Sequence, residues 1–154
     1  MRNKPHCYFL VGLPGSGKST WAEQRFLLPI VGTDRWIDKF AADLGQTYNE
    51  VFDSHIKEAT RLFNEQVAEL VSQGRDFVWD QTNLSVKSRR AKLAQLKNYQ
   101  VSAVAFEIDP DELARRQANR PGKTIPAHVL RSMTDSYQRP TLEEGFYRVS
   151  IVKD

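Results

Sequence analysis

The sequence has few residues that could form a disulfide framework, a metal centre or a membrane span. Cys7 is the only cysteine among 154 residues, which excludes an internal disulfide and fits a reducing cytoplasm. The three histidines, His6, His55 and His128, lack the spacing of metal ligands, so no dedicated zinc site is expected. No apolar run approaches the roughly 18 residues that a membrane span requires, so no membrane partner is expected either.

Charge of neither sign dominates the chain. Lysine and arginine total 22 against 19 aspartate and glutamate residues, and the net charge of +3 is too mild to indicate a polyanionic partner by itself. The length predicts one domain over residues 1–154 with a single core, and we find no repeat or linker. These features leave the oligomeric state open.

Short apolar segments alternate with amphipathic ones along the chain. We predict strands at residues 8–11, 30–32, 77–79, 101–108 and 147–152. Helices are predicted at residues 18–28, 33–44, 51–73, 85–97, 110–119 and 126–137, with the stretch GQTYNE as a loop before the third. This alternation predicts an α/β fold with a mainly parallel five-stranded sheet covered on both faces.

The stretch VGLPGSGKST, residues 11–20, follows the first predicted strand and leads into a helix. It satisfies the pattern G-x-x-x-x-G-K-[ST], in which backbone amides wrap phosphates at a helix N-terminus. Lysine in this pattern spans the β- and γ-phosphates, and the following serine holds magnesium. We therefore predict ATP and Mg²⁺ as cofactors. The predicted nucleotide-binding residues are Gly12, Pro14, Gly15, Ser16, Gly17, Lys18, Ser19 and Thr20.

Two acids follow predicted strands, where ligands of open parallel sheets gather. Asp34 follows the second strand and is the candidate general base for an acceptor hydroxyl, with a helix cap as its alternative role. Asp80 ends the third strand and is a candidate magnesium-site acid together with Ser19, with a turn residue as its alternative.

Basic side chains cluster in two places. Arg116 and Arg120 precede a Gly- and Pro-containing connection and predict an arginine-bearing lid that neutralises charge during phosphoryl transfer, although a solvated helix face would look the same. The predicted helix 85–97 carries five basic residues and no acid, and we expect it to follow an acceptor backbone. The candidate acceptor-binding residues are Arg35, Asn83, Lys87 and Arg90.

These segments, taken in order, resemble the P-loop kinase domain of polynucleotide 5′-hydroxyl kinases, the bacteriophage and animal end-healing enzymes. The stretches that carry the resemblance are GLPGSGKSTW, TD, DQTNLSVKSRR, RRQANRPGKTIPAHVLRSM and PTLEEGF. The resemblance implies a three-layer fold, Asp34 as general base, and Arg120 with Arg116 on the transferring phosphate. It implies nucleic acid as the acceptor. We expect DNA rather than RNA, and the sequence alone leaves that choice open.

Other functions stay open at the level of sequence. Thr33 stands where phage members carry an arginine, so a phage-type kinase of a hydroxymethylated base, such as 5-hydroxymethyluracil in DNA, is one alternative. The segments around Asp34 and Asp80 also resemble the P-loop domain of scaffold attachment factor A, an RNA-associated module without catalysis. A small-metabolite kinase would use the same phosphate loop. The expected compartment is the cytoplasm, or a host's cytoplasm for a phage-encoded chain.

Overall fold

Five parallel strands form the sheet at the centre of the fold, as the alternating pattern predicts. The computed structural model describes residues 3–153. Along the sheet the strands lie in the order β2-β3-β1-β4-β5, and every neighbouring pair is parallel. Their bounds are β1 His6–Val11, β2 Ile30–Val31, β3 Phe77–Asp80, β4 Gln100–Phe106 and β5 Arg148–Val152.

Helices connect these strands at nearly the predicted positions. Helix α1 ends before the predicted limit, and α4 gives way to a 3₁₀ turn at Ala94–Leu96. A second 3₁₀ turn, Leu142–Glu144, was not predicted. The helices are α1 Lys18–Arg25, α2 Thr33–Leu44, α3 Tyr48–Ser72, α4 Val86–Leu93, α5 Pro110–Ala118 and α6 Ala127–Ser136.

The start of α3 corrects one sequence prediction. The stretch GQTYNE does not remain a loop up to residue 50, because α3 begins at Tyr48. Thr47 caps the helix: its side chain accepts from the Glu50 amide, and the Glu50 carboxylate accepts from the Thr47 amide. This reciprocal capping box stabilises a helix start that apolar periodicity alone places three residues later.

The sheet is covered on both faces, and its two faces bury different side chains. On one face Phe9 and Trp79 pack with Phe63 and Val67 of α3. On the other face the apolar cluster includes Ala22 of α1. Burial on both faces explains why β1 reads as a continuous apolar run rather than an alternating one.

Strand β1 lies at the point where the order of strands in the sheet switches: β2 and β3 lie on one side of it, and β4 and β5 lie on the other. Strand β3 pairs with one edge of β1 and β4 with the other, so the loop after β1 opens at the point where the strand order switches. Crevices at such switch points, outside the carboxyl ends of parallel strands, are where open α/β sheets bind ligands. The fold therefore presents residues 12–17 at its natural binding edge.

Within residues 3–153, no helix is both long and apolar enough to cross a membrane. Cys7 is buried in β1, and this burial raises the pKa of its thiol above the usual range. A thiol that stays protonated and inaccessible is a packing residue rather than a reactive one.

Candidate active site

The loop between β1 and α1 has the backbone conformation that its glycines permit. Gly15 and Gly17 have φ angles of 83° and 87°, in the left-handed region that side chains other than glycine's rarely adopt. Gly17 caps α1, so the amides of the first helical turn open toward the loop. The Gly12 amide donates to the Thr82 carbonyl at 3.0 Å, which ties the loop to the segment after β3.

A buried carboxylate, Asp80, lies where the ends of β1 and β3 meet. Ser19 Oγ donates to its Oδ2 at 2.6 Å, and Lys18 Nζ lies 3.6 Å from its Oδ1. Arg35 approaches Oδ2 at 3.4 Å and also pairs with Glu23 at 3.0 Å. Asp80 is only 7% exposed, so these partners compensate a charge that burial would otherwise disfavour.

The oxygens of this cluster fit a magnesium ion. Among the described residues, neither Asp80 Oδ1 nor Ser16 Oγ has a hydrogen-bond partner, although both are buried. A buried polar atom without a partner is costly in a folded protein. A hydrated cation would satisfy the carboxylate oxygen, and a phosphate oxygen could accept from the Ser16 hydroxyl. Carboxylate and hydroxyl oxygens are the ligands that Mg²⁺ prefers.

Asp34 lies in the first turn of α2, on the wall of the cleft that also contains the phosphate loop. Its Oδ1 accepts a 2.6 Å hydrogen bond from the Tyr48 hydroxyl. Burial, followed by the nearby charge of Asp34, raises the pKa of Tyr48 above its usual range. The hydroxyl therefore keeps its proton and acts as the donor in this pair.

The region from α5 to α6, here called the lid, docks directly on the phosphate loop. Arg116 Nη1 donates to the Ser16 carbonyl at 3.1 Å, and Gln117 Nε2 donates to the Pro14 carbonyl at 2.8 Å. The Arg116 Nε also bonds Glu112 at 3.0 Å, which orients the guanidinium. Arg120 borders the same cleft, and the predicted lid arginines thus face the loop.

The lid connection, residues 119–126, is held to the start of α3. Asn49 clamps Thr124 from both sides: its Nδ2 donates to the Thr124 carbonyl at 2.9 Å, and its Oδ1 accepts from the Thr124 amide at 2.7 Å. The backbone N–H of Asn49 donates to the Gly122 carbonyl at 2.9 Å. Lys123 pairs with both oxygens of Asp38 at 3.0 and 3.1 Å. We call these contacts the lid latch.

A cleft of about 730 Å³ lies between the phosphate loop, α2 and the lid. Most predicted site residues border it, whereas Gly12 supports the loop from behind, and Asn83, Lys87 and Arg90 do not border it. The predicted residues on its wall are Pro14, Gly15, Ser16, Gly17, Lys18, Ser19, Thr20, Asp34, Arg35, Asp80, Arg116 and Arg120.

Asn83 has a structural position rather than the substrate-facing one that we predicted. It is 1% exposed and adopts a φ of 50°. Its amide donates to the Leu10 carbonyl at 2.8 Å, and its Oδ1 accepts from Lys92 Nζ at 2.6 Å. Both ends of the side chain are thus used inside the protein, beside the strand that leads into the phosphate loop.

The basic helix divides into an inner and an outer face. Arg89 is completely buried, pairs with Glu144 at 2.8 Å and donates to the carbonyls of Asn83 and Leu84. Lys92 turns inward as well, whereas Lys87, Arg90 and Lys97 are exposed. Two of the five basic side chains, Arg89 and Lys92, therefore have structural roles. The guanidinium of Arg89 can be buried because a carboxylate and two backbone carbonyls accept its hydrogen bonds.

The contacts of Tyr48 with Asp34 and of Asn49 with the lid connection do not follow from the sequence patterns. Tyr48 and Asn49 both lie in the stretch assigned to a loop, where no periodicity points to them. The signal that would have found them is the spacing of Thr47 and Glu50, which predicts a helix start directly before Tyr48. Lys123 also belongs to the site, and its pairing with Asp38 joins residues far apart in the chain.

Fold and site together define an α/β protein of the P-loop kinase type. A family model described as an AAA domain matches residues 8–140, and the chain belongs to this family. The predicted resemblance to P-loop polynucleotide kinases is confirmed by this match together with the relatives below.

One curated relative is the bifunctional polynucleotide phosphatase/kinase of Schizosaccharomyces pombe, 26% identical over 149 residues. The match covers 93% of this chain but 32% of that protein, so the chain spans about a third of its relative's length. Among solved structures, the Pnkp1/Rnl/Hen1 RNA repair complex is 23% identical with a TM-score of 0.67, covering 88% of this chain and 45% of that one.

A gluconokinase from Sinorhizobium meliloti 1021 is also similar in structure. It is 17% identical with a TM-score of 0.57, and the match covers 99% of this chain and 84% of that chain. At such identities the likeness to solved structures establishes the fold alone.

Replacing Gly122 by alanine should release the lid latch. A Cβ there would lie 2.7 Å from Thr47 Cβ, in addition to the strain at a φ of 71°. Gly74→Ala is the matched control, because its φ is 61° but nothing lies within 4 Å of the new Cβ. Both variants lose about 1 kcal/mol to backbone strain.

Hydrogen exchange distinguishes the two variants. We expect the amides of Asn49 and Thr124 to exchange faster in Gly122→Ala than in Gly74→Ala, because their partners belong to the latch. Equal protection of both amides in the two variants would show that Gly122 has no part in holding the lid.

Lys92 should make stability depend on pH in a defined window. Burial lowers its pKa from 10.5 to about 8. Between pH 8 and pH 10.5 the Lys92 amine is protonated mainly in the unfolded chain, so the free energy of unfolding rises with pH in this range. Below pH 8 both states bind the proton, and Lys92 makes no pH-dependent contribution. From pH 7 to 9.5, wild type should gain about 1–2 kcal/mol of unfolding free energy relative to Lys92→Met.

Chemical denaturation at the two pH values measures this difference. Lys97→Met is the control, since Lys97 follows the same helix and is exposed. If the unfolding free energies of wild type and Lys92→Met change with pH in parallel, Lys92 does not have a lowered pKa in the folded protein.

Proposed function

We propose that this protein is a kinase that transfers the γ-phosphate of ATP to a hydroxyl group on nucleic acid, with a 5′-hydroxyl end as acceptor. The observation that carries the proposal is the position of Asp34, which borders the same cleft as Lys18 and Ser19. A carboxylate on that wall can accept the proton of an attacking alcohol during in-line transfer. We extend the proposal to residues 1–154 acting as one kinase domain in the cytoplasm.

The residues around the loop fit a nucleoside triphosphate with magnesium. The left-handed Gly15 and Gly17 leave backbone amides accessible to phosphate oxygens. Ser19 would hold Mg²⁺ directly and Asp80 through water, and the ion would neutralise phosphate charge. Asp80 Oδ1, which accepts no hydrogen bond from the described residues, supports this assignment.

Three cations of the chain stabilise the transferring phosphate in this proposal. Lys18 lies at the loop, and its contact with Asp80 aligns its ammonium toward the end of β3. Arg116 and Arg120 approach from the lid. Prepositioned positive charge around a phosphoryl group is worth several orders of magnitude in rate, because almost all catalysis of this reaction is electrostatic.

Nucleic acid is favoured as the acceptor by the named relatives and by surface charge. The S. pombe relative is a polynucleotide phosphatase/kinase, and it matches at higher identity than the gluconokinase does. The solved RNA repair complex points to the same class of acceptor. Lys87, Arg90 and Lys97 are exposed on and just after α4 and can contact backbone phosphates.

A small-metabolite kinase is the second candidate. Lys123 and Asp38 both border the cleft and pair with each other at 3.0 Å, and a wall joined in this way is compatible with a small acceptor. The likeness to a gluconokinase favours the same candidate. A kinase of a hydroxymethylated base and a non-catalytic RNA-binding module are further outcomes that one experiment separates.

The acceptor is identified by offering radiolabelled ATP with a panel of alcohols to wild type and Asp34→Asn. The panel contains 5′-hydroxyl DNA, 5′-hydroxyl RNA, DNA with hydroxymethylated bases, a nucleoside 3′-phosphate and gluconate. We expect label on a 5′-hydroxyl end. Asp34→Asn should lower kcat by about 10²–10⁴-fold, because the base is lost while the phosphate loop is intact.

Asp43→Asn is the matched control, since Asp43 lies on the same helix and is exposed. ATP affinity should be equal in the three proteins. Label on gluconate alone would favour the metabolite kinase, and ATP binding without transfer to any alcohol would overturn the kinase proposal.

Reversing the outer charges of α4 tests whether the acceptor is a polymer. The double variant Lys87→Glu/Arg90→Glu should raise KM for a 5′-hydroxyl oligonucleotide by about 10-fold and reduce its salt dependence. KM for a nucleoside 3′-phosphate should not change, because neither residue borders the cleft.

Lys57→Glu/Arg75→Glu is the control, since both residues are exposed and the change in net charge is the same. A similar rise of KM in the control variant would assign the effect to net charge rather than to a polymer path along α4.

A further inference from the structure

The hydroxyl of Tyr48 is the side-chain donor that reaches Asp34 within the described residues, at 2.6 Å from Oδ1. We propose that Tyr48 is the positioning residue for Asp34, the general base, and this inference rests on the proposed function. Its hydrogen bond occupies Oδ1 and holds the carboxylate in one orientation, so that Oδ2 receives the proton of the acceptor hydroxyl. Tyr48 itself does not exchange a proton with the acceptor.

Asp34 needs such a partner because of where it lies. It is an exposed side chain in the first turn of α2, and the adjacent Gly32 cap contributes no side-chain hydrogen bond there. An exposed aspartate without a partner samples several rotamers, and only a fraction of them point its carboxylate at an acceptor. A charge-assisted hydrogen bond from a phenol selects one of them.

Tyr48 is itself contacted from two sides. Its ring packs against Phe52 with a centroid separation of 5.6 Å. The Lys123 ammonium lies 4.8 Å from the ring centroid on a lid that pairs with Asp38. The adjacent Asn49 anchors the lid connection. A donor fixed in this way can fix its acceptor in turn.

The contact with Lys123 links this arrangement to the lid. When the lid is latched, a cation from residues 119–126 covers the ring whose hydroxyl holds the base. The same lid brings Arg116 to the phosphate loop. The closed lid therefore completes both sides of the site: the cations around the phosphate and the orientation of the carboxylate.

The test is a double-mutant cycle between Tyr48→Phe and Asp34→Asn, with steady-state kinetics on the acceptor that takes label. Tyr48→Phe keeps the ring, its packing and its contact with Lys123. We expect kcat to fall by about 10- to 100-fold, while KM for ATP, nucleotide affinity and the melting temperature stay near wild type. In the Asp34→Asn background the same change should have no further effect on kcat.

Tyr137→Phe is the matched control. Its hydroxyl also donates to a carboxylate, that of Glu107, at 2.6 Å, but neither residue borders the cleft. This variant should retain the wild-type kcat. A structural role of Tyr48 would instead lower the melting temperature and act equally in both backgrounds.

The outcomes separate this inference from the proposed function. If Asp34→Asn is slow and Tyr48→Phe is as fast as wild type, Tyr48 does not position the base, and the kinase proposal stands. If Tyr48→Phe slows wild type and Asp34→Asn by the same factor, positioning is likewise overturned. If Asp34→Asn keeps the wild-type kcat, Asp34 is not the base and the positioning role of Tyr48 falls with it, whereas the kinase proposal itself fails only if wild type labels no alcohol.

Discussion

The site depends on the compensation of one buried negative charge, that of Asp80. Its carboxylate lies at the end of β3, and its partners come from the first turn of α1 and from α2. Removing a partner from a buried charge is costly, so these contacts hold the segments together. Because α2 also carries Asp34, the contact between Arg35 and Asp80 sets the position of the candidate base relative to the loop.

The parts of the site that depend on local sequence could be predicted. The glycines, lysine and serine of the phosphate loop form a contiguous motif whose function requires that spacing, and the order of strands and helices follows from short-range patterns. Asp34 and Asp80 could be placed as well, because Asp80 ends β3 and Asp34 lies shortly after β2, and the carboxyl ends of parallel strands share one edge.

The parts that depend on long-range packing could not be predicted. The sequence of α4 does not reveal that Arg89 faces Glu144, which lies 55 positions later, or that Asn83 spans from Leu10 to Lys92. Composition therefore overstated the exposed basic surface. The lid latch could not be predicted either, because Asn49 and Thr124 are far apart in the sequence and meet only in the folded protein.

The lid, the lid latch and the candidate base, Asp34, are connected by a continuous series of contacts. Asp34 is held by Tyr48, Tyr48 is covered by Lys123, and the lid that carries Lys123 also carries Arg116 to the phosphate loop. On the proposed function, these contacts would bring the lid cations and the candidate base into place together, which is the role that closing lids have in phosphotransferases.

The most direct measurement is a crystal structure with a non-hydrolysable ATP analogue, Mg²⁺ and a short 5′-hydroxyl oligonucleotide. The account predicts that the acceptor oxygen lies about 2.6–3.2 Å from Asp34 Oδ2, with Oδ1 still bonded to Tyr48. An acceptor oxygen out of hydrogen-bonding reach of Asp34, or an oligonucleotide bound away from the cleft, would contradict it.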